Sequence, residues 1–174
     1  MEYDVSPEGL ISTSTGETGT AVATGVLIAR SANAAVVLHV LTAFTRGLLA
    51  HFVVLVRGPN SPDDMTSLMY PKGPDGLHMG FSYVDSTPEL FAPGQPPLEP
   101  LDPPRWRLVH GYGGGGGGES GLRCDASFAL VPYPASHRLI VGVSWVERSI
   151  AATTMVVPLP TLAEVQERSR SIWT

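Results

Sequence analysis

From Thr20 onward, apolar residues gather into three dense runs. These are TAVATGVLIAR, AAVVLHVLTAF from Ala34 and HFVVLVR from His51, set apart by the turn-like Ser31–Asn33 and Thr45–Gly47. Runs of this length with such punctuation predict strands rather than helices. In the second run Val36, Leu38 and Val40 alternate with Val37, His39 and Leu41. Both faces are largely apolar, as expected of a central strand. GPNSPDD (58–64) predicts a loop, because Pro59 and Pro62 cannot donate to a ladder. TSLMY and LHMGFSYVD predict two further strands. In the latter Leu77, Met79, Phe81 and Tyr83 form one face.

Residues 86–104 hold seven prolines and predict a stiff, irregular crossing. Beyond it LRCDASFALVPYP and HRLIVGVSWVE predict a strand pair around Pro132–Ser136, and ATTMVVPLP a last strand. Thr161-Leu-Ala-Glu164 is a capping-box sequence. It opens a predicted helix of about three turns over 161–173, with Leu162, Val165, Ser169 and Ile172 on one face. The expected architecture is all-β: an antiparallel immunoglobulin-like β-sandwich with one C-terminal α-helix. Residues 1–19 are expected to be a flexible leader and 20–174 a single domain.

Composition adds exclusions. The net charge is -5, and the basic residues stand singly with no stripe to neutralise successive phosphates, so nucleic acid is not an expected partner. Cys124 is the lone cysteine, which excludes an internal disulfide and a multi-thiol metal site. The longest apolar stretch free of formal charge, Ser31 to Thr45, is too short for a bilayer. The acidic N-terminus does not resemble a signal peptide. A cytoplasmic protein without membrane contact is expected.

The conspicuous chemistry candidate is HGYGGGGGGES (110–120). Gly113 to Gly118 spans the glycines of a P-loop, yet Glu119 stands where a phosphate-binding lysine belongs. Gly111-x-Gly113-x-x-Gly116 fits the dinucleotide fingerprint, but no helix is predicted after it. His110-Gly-Tyr-Gly113 and Gly142-Val-Ser144 supply fragments of an esterase pattern, with Ser144 inside an alternating strand and the second elbow glycine missing. The expectation is a slack Gly-rich loop over 111–121, since glycine has no side chain to pack and loses most entropy on ordering.

Among His39, His51, His78, His110 and His137, no local spacing makes a metal pair. Cys124 reads as a packing residue, and Trp106 and Trp145 as core aromatics. No catalytic, cofactor-binding or metal residue is assigned, and no cofactor is expected.

Three stretches carry a resemblance: Phe81-Ser-Tyr-Val-Asp85, the glycine run followed by Leu130-Val-Pro132-Tyr-Pro134 and Leu139 to Trp145, and a final strand and helix ending near Trp173. Through them the chain resembles a loose group of actinobacterial β-sandwich proteins of similar length with a polyglycine loop and a C-terminal helix. Where those proteins tend to have Trp-Pro, this chain has Trp145-Val146. No activity is established for the group, so the resemblance implies a fold and no catalytic residue.

Few charges and strands apolar on both faces make the first functional expectation a non-enzymatic module for protein interaction or self-association. The alternative is a small hydrolase or metal-dependent enzyme using His110 or His78 near the glycine loop. A third possibility is carbohydrate or lipid binding between the sheets.

Overall fold

The Val/Leu/Ala runs do form strands. The computed structural model describes residues 17–59, 62–83, 87–95 and 107–171, and strand outweighs helix in it by 58% to 11%. A short β1 (Glu17–Thr18) precedes β2 (Thr20–Arg30), β3 (Ala34–Phe44) and β4 (Gly47–Arg57), the last three an antiparallel meander. Gly47 at the second turn has to be glycine: a Cβ there would lie 2.4 Å from the Leu130 carbonyl oxygen. In β3 the register shifts between Leu38 and Val40. The extra residue leaves His39 exposed and sends Leu41, with Val36 and Leu38, into the core. The single face expected for Val36, Leu38 and Val40 is therefore broken, with Val40 only half-buried.

Strand β7 (Gly121–Val131) pairs with β4 on one side and with β6 (Arg107–Gly118) on the other, giving a five-stranded sheet in the order β2-β3-β4-β7-β6. A second, three-stranded sheet has the order β5-β8-β9, from His78–Ser82, Arg138–Trp145 and Ile150–Pro158. All pairings are antiparallel. The expected pairing of 122–131 with 138–145 does not form; the two runs lie in different sheets. Each has an apolar side to bury, Leu122, Cys124, Ala126, Phe128 and Leu130 in one and Leu139, Val141 and Val143 in the other. Both sets belong to one shared core cluster. At its centre Phe81 of β5 lies 5.8 Å from Phe52 of β4 and 5.3 Å from Phe128 of β7, ring centre to ring centre. Tilted and edge-on pairs of this kind are favoured over face-to-face stacking.

The segment expected to be a loop and a strand is instead a helix, α1 (Pro62–Met69). Pro62 excludes a ladder, but the first helical turn tolerates proline. Leu68 and Met69 bury against the core, where the Cys124 thiol donates to the Met69 sulfur at 3.6 Å. Residues 87–91 then cross β5 and β8: Met79 and Phe91 exchange backbone hydrogen bonds of 2.8 and 2.7 Å. A Cβ on Gly80 would strike the Glu89 carbonyl oxygen at 2.2 Å, and one on Gly142 would meet Leu90 at 2.9 Å.

The C-terminal helix, α2, is shorter than expected, Leu162–Arg168. Its capping box is present, with the Glu164 N–H donating to Thr161 Oγ1 (3.1 Å) and the Thr161 N–H to Glu164 Oε2 (2.7 Å). Val165 is buried, while Leu162 is 41% exposed. Rather than continue, the chain becomes β10 (Arg170–Ser171) and pairs with β1. Buried Glu17 joins these ends, accepting from the Thr45 N–H, the Thr45 hydroxyl and the Ser169 hydroxyl. The expected leader thus ends in a strand at Glu17–Thr18; its residues 1–16 lie outside the described residues, as do 96–104 of the proline crossing, Asp85, Trp106, Ile172 and Trp173.

Candidate functional site

The glycine run is an ordered edge strand, which corrects the slack-loop expectation. Gly114 to Gly118 pair in unbroken register with Asp125 to Gly121, after a shift between Tyr112 and Gly114. The turn is confined to Glu119–Ser120. A glycine backbone has the full set of ladder donors and acceptors, and β7 supplies the template. A strand directs its N–H groups alternately to its two sides, so they do not converge as a phosphate cradle requires.

The esterase-like fragments separate in the same way. Gly142 is explained by Leu90 and Pro88 lying against it. Ser144, half-buried, pairs across the ladder with His78, whose Nδ1 is 3.0 Å from the Gly76 carbonyl oxygen. His110 lies on β6 opposite Phe128, and its side chain is outside the described residues. His39 is exposed on β3 and His137 in the bend before β8. His51 has the closest side-chain contact of the described histidines, with Nδ1 2.6 Å from Ser127 Oγ on the neighbouring strand. Among the described residues no carboxylate bonds to that ring, so the hydroxyl and imidazole stand as a cross-strand polar pair. Among the described residues, too, no three His, Cys, Asp or Glu side chains gather as a metal site.

Burial decides the remaining nucleophile. It pushes the Cys124 thiol up to about 11, with Asp125 adding a smaller push. A thiol held protonated is a poor nucleophile. Tyr133, pushed up to about 12 chiefly by burial and then by Glu164, donates to the Pro160 carbonyl at 2.6 Å and ties the β7 exit to α2. Trp145 is core, with the Arg148 guanidinium 5.8 Å from its ring centre.

What stands out among the described residues is a pair of neighbouring strands without charge. β2 carries no charged residue from Thr20 to Ala29, and β9 none from Ile150 to Pro158. Each is the terminal strand of its sheet, and the two lie side by side without pairing. Ala21, Thr24, Gly25 and Leu27 are exposed on β2, and Ala151, Ala152, Thr153, Thr154 and Val156 on β9. Val156, 55% exposed, and Leu27, 41%, are the large apolar members. The absence of charge is legible in the sequence; that two runs over a hundred residues apart share one border is not. A search of family models, of curated proteins and of solved structures returns no match. Among the described residues no helix is long and apolar enough to cross a membrane.

Proposed function

We propose that this chain is a soluble, cytoplasmic, non-enzymatic interaction module that self-associates through the β2–β9 border. Its two sheets on one core form a sandwich of the immunoglobulin-like style, with a strand order of its own. The observation that carries the reading is the uncharged, side-chain-bearing border. Proteins ordinarily guard sheet edges with charges, lysine above all, with proline or with bulges. Here β2 has two register shifts and β9 ends at Pro158, yet no charge guards either strand between its ends. Exposed apolar area that adjoins unpaired backbone groups is a template for a further strand. A second copy offers the same surface in a two-fold contact.

Light scattering across a concentration series tests this. The native chain is expected as a dimer or larger species, and Thr153→Lys/Val156→Lys as a monomer with its folding stability within about 0.5 kcal/mol of native. A native chain that stays strictly monomeric, and that retains no protein from its own lysate, removes the reading.

A further inference from the structure

We infer that the groove at the β2–β3 turn binds an acidic peptide segment of another protein, one that sets an aliphatic side chain beside carboxylates. The groove encloses about 460 Å³ and runs from Leu27 over Ala35 and Leu55, between Arg30 and Arg57. Leu27 and Leu55 are each 41% exposed, so two large apolar side chains form a floor left open to solvent. The wall beside them is hydrogen-bonded. The Ser31 N–H donates to the Ala34 carbonyl, the Ala34 N–H to Ser31 Oγ, and the Arg57 N–H to the Asn33 carbonyl, at 2.8, 3.2 and 2.8 Å.

Charge selects the occupant. Ladder register brings Arg30 opposite Ala35, Ala35 opposite Leu55, and Leu55 opposite Arg123, on one face of the sheet. Arg123 is held by Asp125 through two hydrogen bonds of 2.9 and 3.1 Å. Neither Arg30 nor Arg57 has an ion-pair partner among the described residues. Among the described residues, Arg30, Arg57 and Arg123 stand against Asp125 and, in the adjoining β6–β7 turn, Glu119, which leaves this end of the face positive in a chain whose net charge is -5. Guanidinium forks match carboxylates two bonds at a time.

Openness selects the class of ligand. Small-molecule sites enclose most of their ligand, whereas the floor of this groove, Leu27 and Leu55, is open to solvent and lies beside the uncharged stretch of β2. An extended chain fits such a trough, its apolar side chain on Leu27 and Leu55 and its carboxylates between Arg30 and Arg57. The inference rests on the interaction-module reading in taking the occupant to be a protein segment, and Leu27 belongs to both surfaces.

The probe is a fluorescein-labelled hexapeptide of alternating Glu and Leu, followed by anisotropy against the full chain. Saturable binding is expected, at least tenfold weaker in Arg30→Glu/Arg57→Glu, weakened by salt, and absent for the Lys/Leu counterpart. Both arginines are exposed, and a thermal melt checks that the variant stays folded. Equal binding of the two peptides, or undiminished binding by the double variant, overturns the inference. So does binding of decanoate with no binding of the peptide, which makes the groove a small-amphiphile site. The monomeric border variant separates the two readings: unchanged peptide affinity there supports the groove as a site of its own, and lost affinity overturns it.

Discussion

The two edges of the five-stranded sheet are alike in charge and opposite in substance. β2 and the β6 stretch Leu108–Gly118 carry no formal charge apart from Arg30 at the very end of β2. Yet β2 bears side chains along its length, with Ala21 and Leu27 exposed, while β6 ends in six glycines. Unpaired backbone groups alone make a weak template, because each glycine gives up the most chain entropy when ordered and returns no side-chain contact. Apolar side chains beside the same backbone groups add the hydrophobic gain. An edge therefore becomes adhesive through what flanks its backbone, and bare glycine is one way to leave an edge uncharged without making it sticky.

The largest test of the contrast lies where β2 and its neighbours are anchored. Leu38 of β3 is fully buried; Leu38→Ala should lower the unfolding free energy by about 2–5 kcal/mol, read by chemical denaturation. At the other edge the hairpin residue matters more than the run. A Cβ on Gly121 would lie 2.5 Å from the Val56 carbonyl oxygen, at φ +156°, so Gly121→Ala should destabilise by about 1–3 kcal/mol.

Alkali reaches the strand that holds β6 in place. The Cys124 thiol on β7 keeps its proton to about 11 in the folded chain, against 9.0 ordinarily. The unfolded chain releases that proton first, so folding stability should fall as pH rises from 9 to 11. Tyr133, ordinarily 10.0 and here about 12, extends the decline to 12. Denaturation midpoints should drop across this window, and Cys124→Ala should flatten its lower half. The smallest effect sharpens the comparison best. Nothing lies within 4 Å of a Cβ on Gly116, so Gly116→Ala should stabilise by roughly 0.4–1 kcal/mol through the unfolded chain.

Several elements were legible because a local signal matched the fold. Leu139, Val141 and Val143 do share the core face and the Thr161–Glu164 box does form, since one is read from side-chain period and the other from a four-residue hydrogen-bond pattern. α1 was hidden because Pro62 forbids a ladder and equally suits a helix start. The glycine run was hidden because its strand is imposed by β7 rather than by any preference of its own. The bulge at His39 depends on how β3 meets β4, which alternation along β3 cannot report. The same holds for the candidate surfaces: β9 lies beside β2, and Arg30 and Arg57 line one groove, only through the arrangement of strands.

The most direct test of an adhesive β2–β9 border is amide hydrogen exchange of the native chain at low and high protein concentration. Amides of Ala21–Leu27 and Ala151–Val156 are expected to slow as concentration rises while those of Gly113–Gly118 keep one rate. Concentration-dependent protection of the glycine strand, with β2 and β9 unchanged, contradicts it.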